Sequence, residues 1–290
     1  MDIPGRGESH ARASLYHPVV ILLERVLRFS VTTPNALAEA ISSSTNGFAG
    51  RPLQEGFGSF HELKIGCRGE PDPTLQYVLD IKDIDGAARK TILPAICEAY
   101  ATLPHPAPAG VVAGVMRSLN FELSGKLEFV RLNLTPTYSV EVRMSELNFV
   151  ALRQRFDFAA AHRLHSPSLS AEENRRRYGK CNNPRGHGHN YQLEPCVNVA
   201  IGDRGEAGLT LAQLEDAVQR SVIDRFDHTH LNEDTAEFNV ERGGVIPTVE
   251  NIAKVLYELL SREIAAGATG ATLKSMTVWE TDRTSATYPA

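Results

Sequence analysis

Apolar residues recur along this chain with helical and strand periods, and the order of those periods occurs twice. LDIKDIDGAARKTIL, Leu79 to Leu93, carries its apolar residues at helical spacing, and LTLAQLEDAVQRSVI, Leu209 to Ile223, repeats the pattern at an offset of 130. Leu79 stands opposite Leu209, Ile81 opposite Leu211, Ile84 opposite Leu214 and Ala87 opposite Ala217. The second segment opens with Thr210-x-x-Gln213, a capping box that satisfies orphan amides at a helix start. Each half predicts a further helix, around Val111 to Leu119 and from Val249 to about Glu263. In the latter, Ile252, Val255, Leu256, Leu259 and Leu260 form one apolar stripe, which means core packing.

Strand patterns frame these helices. VVILLERVL, Val19 to Leu27, reads as a buried strand. RFSVTT at Arg28 to Thr33 matches RFDFAAAH, and FHELKIG from Phe60 matches GHNYQLE from Gly188. Each half is predicted to close with a strand, PTYSVEVRM from Pro136 and KSMTVWETD from Lys274. The order strand, strand, helix, loop, helix, strand describes an α+β unit with helices on one face of an antiparallel sheet. The repeat of that order predicts a duplication, with units at 16–146 and 147–290, a boundary near Met144 to Asn148, and a disordered tail at 1–15.

Composition narrows the class. The 290 residues are 42% hydrophobic and 22% charged, enough to bury a core, and the net charge of −5 offers no basic field for nucleic acid. Four cysteines (67, 97, 181 and 196) form no CxxC pair, which favours free thiols and a cytoplasmic address. No apolar run approaches the roughly 18 residues of a membrane span, so no membrane partner is expected.

Candidate chemistry gathers in the second half. His187 and His189, with Gly188 between them in CNNPRGHGHNY, share one face of a strand. His162, at the end of FDFAAAH, can bring a third imidazole, and three neutral imidazoles leave zinc one open position, as in catalytic sites. The first half differs at these places. Thr33 falls opposite His162, Ser59 opposite His187, and only His61 is kept, so that half is expected to hold no metal. Cys196 reads as a small core residue, and the run Arg175, Arg176, Arg177, Lys180 and Arg185 as a solvated face, with phosphate binding the other reading.

The stretches HRLHSPSLSAEEN, GKCNNPRGHGHNY, FDHTHLN, PTVENIA and VWETD, in that order, resemble the family of 6-pyruvoyltetrahydropterin and 6-carboxytetrahydropterin synthases. The resemblance covers about Phe156 to Thr281, and the first half shares only the scaffold. It implies two tandem T-fold units, each ββααββ, whose sheets join into oligomeric barrels, the first unit a degenerate copy. It implies Zn2+ on His162, His187 and His189, and Cys181 as catalytic base with Asp227 and His228 completing a relay. Glu280 would anchor a pterin ring, and Thr248 and Glu250 would line its pocket.

The activity so implied is a lyase acting on 7,8-dihydroneopterin triphosphate to give 6-pyruvoyltetrahydropterin for tetrahydrobiopterin biosynthesis. The alternative is a 6-carboxytetrahydropterin synthase, which releases acetaldehyde on the route to queuosine. The five residues between Cys181 and His187 favour the pyruvoyl product, because the carboxy-forming relatives usually show three there. A reading of another class is a non-catalytic pterin-binding or scaffold protein. For assembly, the expectation is a homotrimer, a pseudo-hexamer of T-fold units with three second halves in one ring and three first halves in a stacked, silent ring.

Overall fold

Alternation of burial along the strands sets one face of a single sheet against the helices. Strand β2 (Ser59–Gly69) buries His61, Leu63, Ile65 and Cys67, and β7 (His187–Ala200) buries Tyr191, Leu193, Val197 and Val199. The computed structural model describes residues 19–31, 58–103, 106–203, 205–267 and 270–290. The tail at 1–15 and Thr33 lie outside them.

The sheet runs β1 (Ile21–Val31), β2, β3 (Leu127–Asn133), β4 (Tyr138–Arg143), β5 (Phe149–Gln154) and β7. Past Arg155, β5 continues as β6 (Phe156–His162), also paired with β7; β9 (Ala271–Thr281) and β10 (Thr284–Tyr288) follow. All pairings are antiparallel except that of the two-residue β8 (Thr229–His230), which runs parallel to β6. Strands β1 to β4 therefore neighbour one another in chain order, and β5–β6, β7, β9 and β10 do the same.

Each half closes with two strands where one was expected. PTYSVEVRM is the last strand of its half, β4, whereas KSMTVWETD is the penultimate, β9. The strands not foreseen are β3 and β10. LEFVRLN alternates charged and apolar residues only briefly, and TSATY has almost no apolar payload to mark a buried face. The Val19–Leu27 strand also needs correcting. β1 begins at Ile21, and Val19 to Leu22 are exposed, because this edge strand has only β2 beside it.

The helices are α1 (Ile81–Lys90), α2 (Ile92–Thr102), α3 (Pro108–Glu122), α4 (Ala171–Tyr178), α5 (Leu211–Val218) and α6 (Val249–Gly267). Capping boxes close around Ser170 with Glu173 and around Thr210 with Gln213. The single helix expected over 79–93 breaks at Thr91 (φ −120°, ψ −73°). The Thr91 hydroxyl donates to the Ala87 carbonyl at 2.8 Å, and Ser221 donates to Ala217 at 2.6 Å inside a π-helical turn, Gln219–Ile223. Both bonds run four residues back, where they compete with the helical ladder, and they lie 130 residues apart.

The strands carry the same offset. A bulge separates Gly66 from Cys67 opposite β3, and another separates Cys196 from Val197 opposite β9. Gly66 is required there, since a Cβ would stand 2.2 Å from the Phe129 ring. Aligning the bulges puts His61 opposite Tyr191 and Ser59 opposite His189. The expected match of Ser59 with His187 is thus displaced by two residues. A two-residue slip keeps every side chain on its face, so alternation cannot detect it.

The expectation of separate rings also fails. β4 pairs with β5 in the register Tyr138↔Gln154 to Glu141↔Ala151, so the two halves form one continuous sheet. At this seam the buried Glu141 carboxylate binds Arg131 at 2.6 Å and Arg143 at 2.9 Å. The combined sheet ends at β1, at β10 and, beyond β6, at the two-residue β8.

Candidate metal centre

Strand pairing assembles the site. β6 and β7 meet in the register His162↔His187 and Ala160↔His189, so the three imidazoles stand on one face. The Nε2 atoms of His162 and His187 are 3.1 Å apart. Glu280, from the end of β9, places Oε1 3.2 Å from His162 Nε2 and 3.5 Å from His189 Nε2. One ligand atom from each of the four residues fits within 4.8 Å of all the others, the only such cluster of three or more among the described residues.

Protonation favours metal binding. His162, fully buried, donates from Nδ1 to the Pro247 carbonyl at 2.8 Å, which leaves the Nε2 lone pair facing the cluster. Burial, and then the neighbouring His162, hold the His187 pKa below its ordinary value. Burial does the same at His189, against an opposing pull from Glu280. The Glu280 carboxyl is held below its ordinary value by the adjacent His162 side chain first, and by His189 after it. Buried His189 Nε2 has no hydrogen-bond partner. Imidazoles held below their ordinary pKa at His187 and His189, the His162 Nε2 lone pair and a carboxylate held low suit a divalent ion.

Surrounding residues explain the other motifs. Asn251 donates to the Ile246 carbonyl at 2.9 Å, and Thr248 Oγ1 accepts the Asn251 amide at 3.4 Å, so PTVEN holds the Pro247 carbonyl against His162. Thr248 is half-buried at this cap and Glu250 is exposed on the first turn of α6; neither belongs to the imidazole cluster. Asn232 pins Arg163 through paired bonds to its amide and carbonyl at 2.7 and 3.0 Å. Gly186 (φ 69°) precedes HGH because a Cβ there would lie 2.6 Å from His230 Nε2 and 2.9 Å from the His162 carbonyl.

Cys181, half-buried in the 3₁₀ turn Gly179–Asn182, accepts the Leu164 amide with its carbonyl at 2.9 Å. The phenol pKa of nearby Tyr191 is pushed up by burial first, then by the charges of Glu280 and Cys181. Tyr191 was missed in the sequence. It is fully buried, its hydroxyl is unpaired, and its ring centroid lies 5.4 Å from that of His189 and 5.9 Å from that of His162. The parity that joins His187 and His189 extends to Tyr191 and would have found it.

Asp227 and His228 form their pair at the sheet edge. Asp227 Oδ2 accepts His228 Nδ1 at 2.8 Å and Oδ1 accepts the Ala159 amide at 2.8 Å. These bonds, the Ala159 amide first, hold the Asp227 pKa low. His228 has φ 57° and an 83% exposed side chain, and shares a shallow recess of about 470 Å³ with Ala159, Gly188, His189 and Asn190. Among the described residues no hydrogen bond joins this pair to Cys181. Cys196 is buried, and Arg175 to Arg177 are exposed, as expected. No helix among the described residues is long and apolar enough to cross a membrane.

Comparison with known proteins points the same way. The family model "6-pyruvoyl tetrahydropterin synthase" matches residues 151–290. The human 6-pyruvoyl tetrahydrobiopterin synthase is 35% identical over 135 residues, 47% of this chain and 88% of that protein. The Drosophila melanogaster enzyme of that name is 38% identical over 115 residues, 40% of this chain and 66% of that protein. A solved structure of Caenorhabditis elegans 6-pyruvoyl tetrahydropterin synthase, 32% identical, covers 49% of this chain and 96% of that one with a TM-score of 0.44. With an imidazole–carboxylate cluster inside the matched region, the chain belongs to the 6-pyruvoyl tetrahydropterin synthase family and is a lyase of that type.

Proposed function

We propose that this chain is a zinc-dependent lyase that converts 7,8-dihydroneopterin triphosphate to 6-pyruvoyltetrahydropterin with loss of triphosphate. The observation that carries the reading is the convergence of His162, His187 and His189 with Nε2 of His189 buried and unpaired. These three residues hold the zinc, which when bound supplies positive charge to stabilise negative charge developing on the substrate side chain. Glu280 accepts paired hydrogen bonds from the pterin amino and ring N–H groups, and Thr248 and Glu250 border that pocket.

Cys181 takes a proton from a side-chain carbon. Asp227 fixes the tautomer and orientation of His228 through the 2.8 Å bond at Nδ1, leaving Nε2 to exchange protons with the substrate. Because the pair lies on the sheet edge with His228 outward, it is available to an active site completed by a neighbouring unit.

Residues 16–146 form a T-fold scaffold without a catalytic metal, and 147–290 form the catalytic T-fold unit. The repeated strand order and the matched bulges support that division. Copies of the chain join as a homo-oligomer through the unpaired backbone groups of β1 and β10, since closing the sheet removes two exposed edges.

The test is incubation of zinc-loaded protein with 7,8-dihydroneopterin triphosphate, followed by chromatography of the products. The pyruvoyl compound and free triphosphate are expected. A 6-carboxy product with acetaldehyde, or unchanged substrate, overturns the assignment.

A further inference from the structure

The first half keeps a cavity where the second half has its metal centre. With the bulges aligned, Phe129 corresponds to Ser275, so Leu134 stands where Glu280 stands and His61 where Tyr191 stands. The cavity measures about 310 Å³ and lies between the helix side of the sheet and the facing ends of α2 and α3. Its walls are Ile96, Ala99, Val111, Leu132 and Leu134, with Pro106 and Pro108. Among the described residues no charged side chain lines it.

Its polar equipment is one pair. His61, 2% exposed, meets the Tyr100 hydroxyl through Nε2 at 2.8 Å. Burial holds the imidazole below its ordinary pKa, against a smaller pull from the Asn133 backbone, which favours a proton on the ring. The other ring nitrogen, Nδ1, is buried without a hydrogen-bond partner. In the Nδ1-protonated tautomer Nε2 accepts, and the Tyr100 hydroxyl donates to it. That leaves a phenol lone pair free at the mouth, where Tyr100 is 40% exposed.

We infer that the first half contains a second, metal-independent binding site for a small, uncharged aromatic heterocycle that donates one N–H to the Tyr100 oxygen. Pockets of roughly 300 Å³ and more, apolar with a few placed polar groups, are the usual form of small-molecule sites. Among the described residues no cation lies along the walls to hold a phosphorylated ligand. One imidazole, His61, where the second half gathers three, selects against a metal. The inference stands apart from the activity proposed above, because binding is read without turnover.

Indole and 1-methylindole, titrated calorimetrically into the zinc-loaded full chain, provide the test. Indole is expected to bind once per chain. Tyr100→Phe should weaken indole about fivefold, the loss of one net hydrogen bond, and leave 1-methylindole unchanged. Ala99→Phe should abolish binding of both by filling the cavity. If that variant does not fold, the two probes against Tyr100→Phe decide the matter. Three results overturn the site: no saturable binding of indole at millimolar concentration, equal effects of Tyr100→Phe on both probes, or loss of indole binding in His187→Ala.

Discussion

The two halves share a strand order, a bulge and a back-bonded hydroxyl at the same offset, yet among the described residues only the second gathers metal-binding groups. Second-half strand ends bring three imidazoles and a carboxylate within 4.8 Å of one another. In the first half the strand ends bring one imidazole and Leu134 to the same place, and helix α2 adds the Tyr100 phenol, around an open cavity. The scaffold depends on alternation and helix packing, which many side chains satisfy. The metal centre depends on three imidazoles and an adjacent carboxylate held in register at strand ends, a demand few side chains meet.

The largest effects test that division directly. Metal analysis of purified protein should find about one zinc per chain, the capacity of a single three-histidine site. His187→Ala should bring metal and turnover down to trace levels, whereas His61→Gln should leave metal content unchanged. Two tightly bound ions per chain would break the comparison.

Next in size is Cys181→Ala. If the thiol is base and not ligand, turnover falls by at least about a hundredfold, the usual worth of a placed proton acceptor, while zinc content holds. Loss of zinc in this variant would move Cys181 into the ligand set.

Much of this was legible in the sequence, for identifiable reasons. The 130-residue offset between Ile81 and Leu211 survives as two helix starts, because helical periodicity and a capping residue are local signals. His187 and His189 share a face by strand parity alone. Three things were not legible. The two-residue slip of Ser59 and His61 preserves parity and becomes visible only when the bulges are placed. The break at Thr91 comes from one hydroxyl choosing a carbonyl. The Pro247 carbonyl that orients His162 is a backbone atom 85 residues away and leaves no mark of its own on composition.

A smaller effect concerns the seam between the halves. Gly110, in the first turn of α3, packs on the loop glycine Gly205 (φ 82°) so closely that a Cβ would stand 2.5 Å from the Gly205 Cα. Backbone is not free to yield there, so Gly110→Ala should cost about 1–3 kcal/mol of stability, as overpacking commonly does. Urea denaturation measures it. Gly114→Ala, on the same helix with open space around its Cβ position, should be neutral or slightly stabilising. Equal midpoints for the two variants would show that the halves do not press together at this point.

The smallest effect sharpens the comparison through pH. Burial holds the His61 pKa below that of an unfolded histidine, about 6.5. Above that pH neither the folded nor the unfolded ring carries the extra proton, and the contribution of His61 to stability is fully present. As pH falls below 6.5 the unfolded chain takes up a proton that the folded chain resists, so stability declines until the lowered folded value is passed. In zinc-loaded protein, where the metal holds the second-half imidazoles, the urea midpoint of the native chain should fall more steeply between about pH 6.5 and 5 than that of His61→Gln. Parallel curves would mean that His61 is solvated in the folded state, and the cavity around it would then be no more than a wet surface recess.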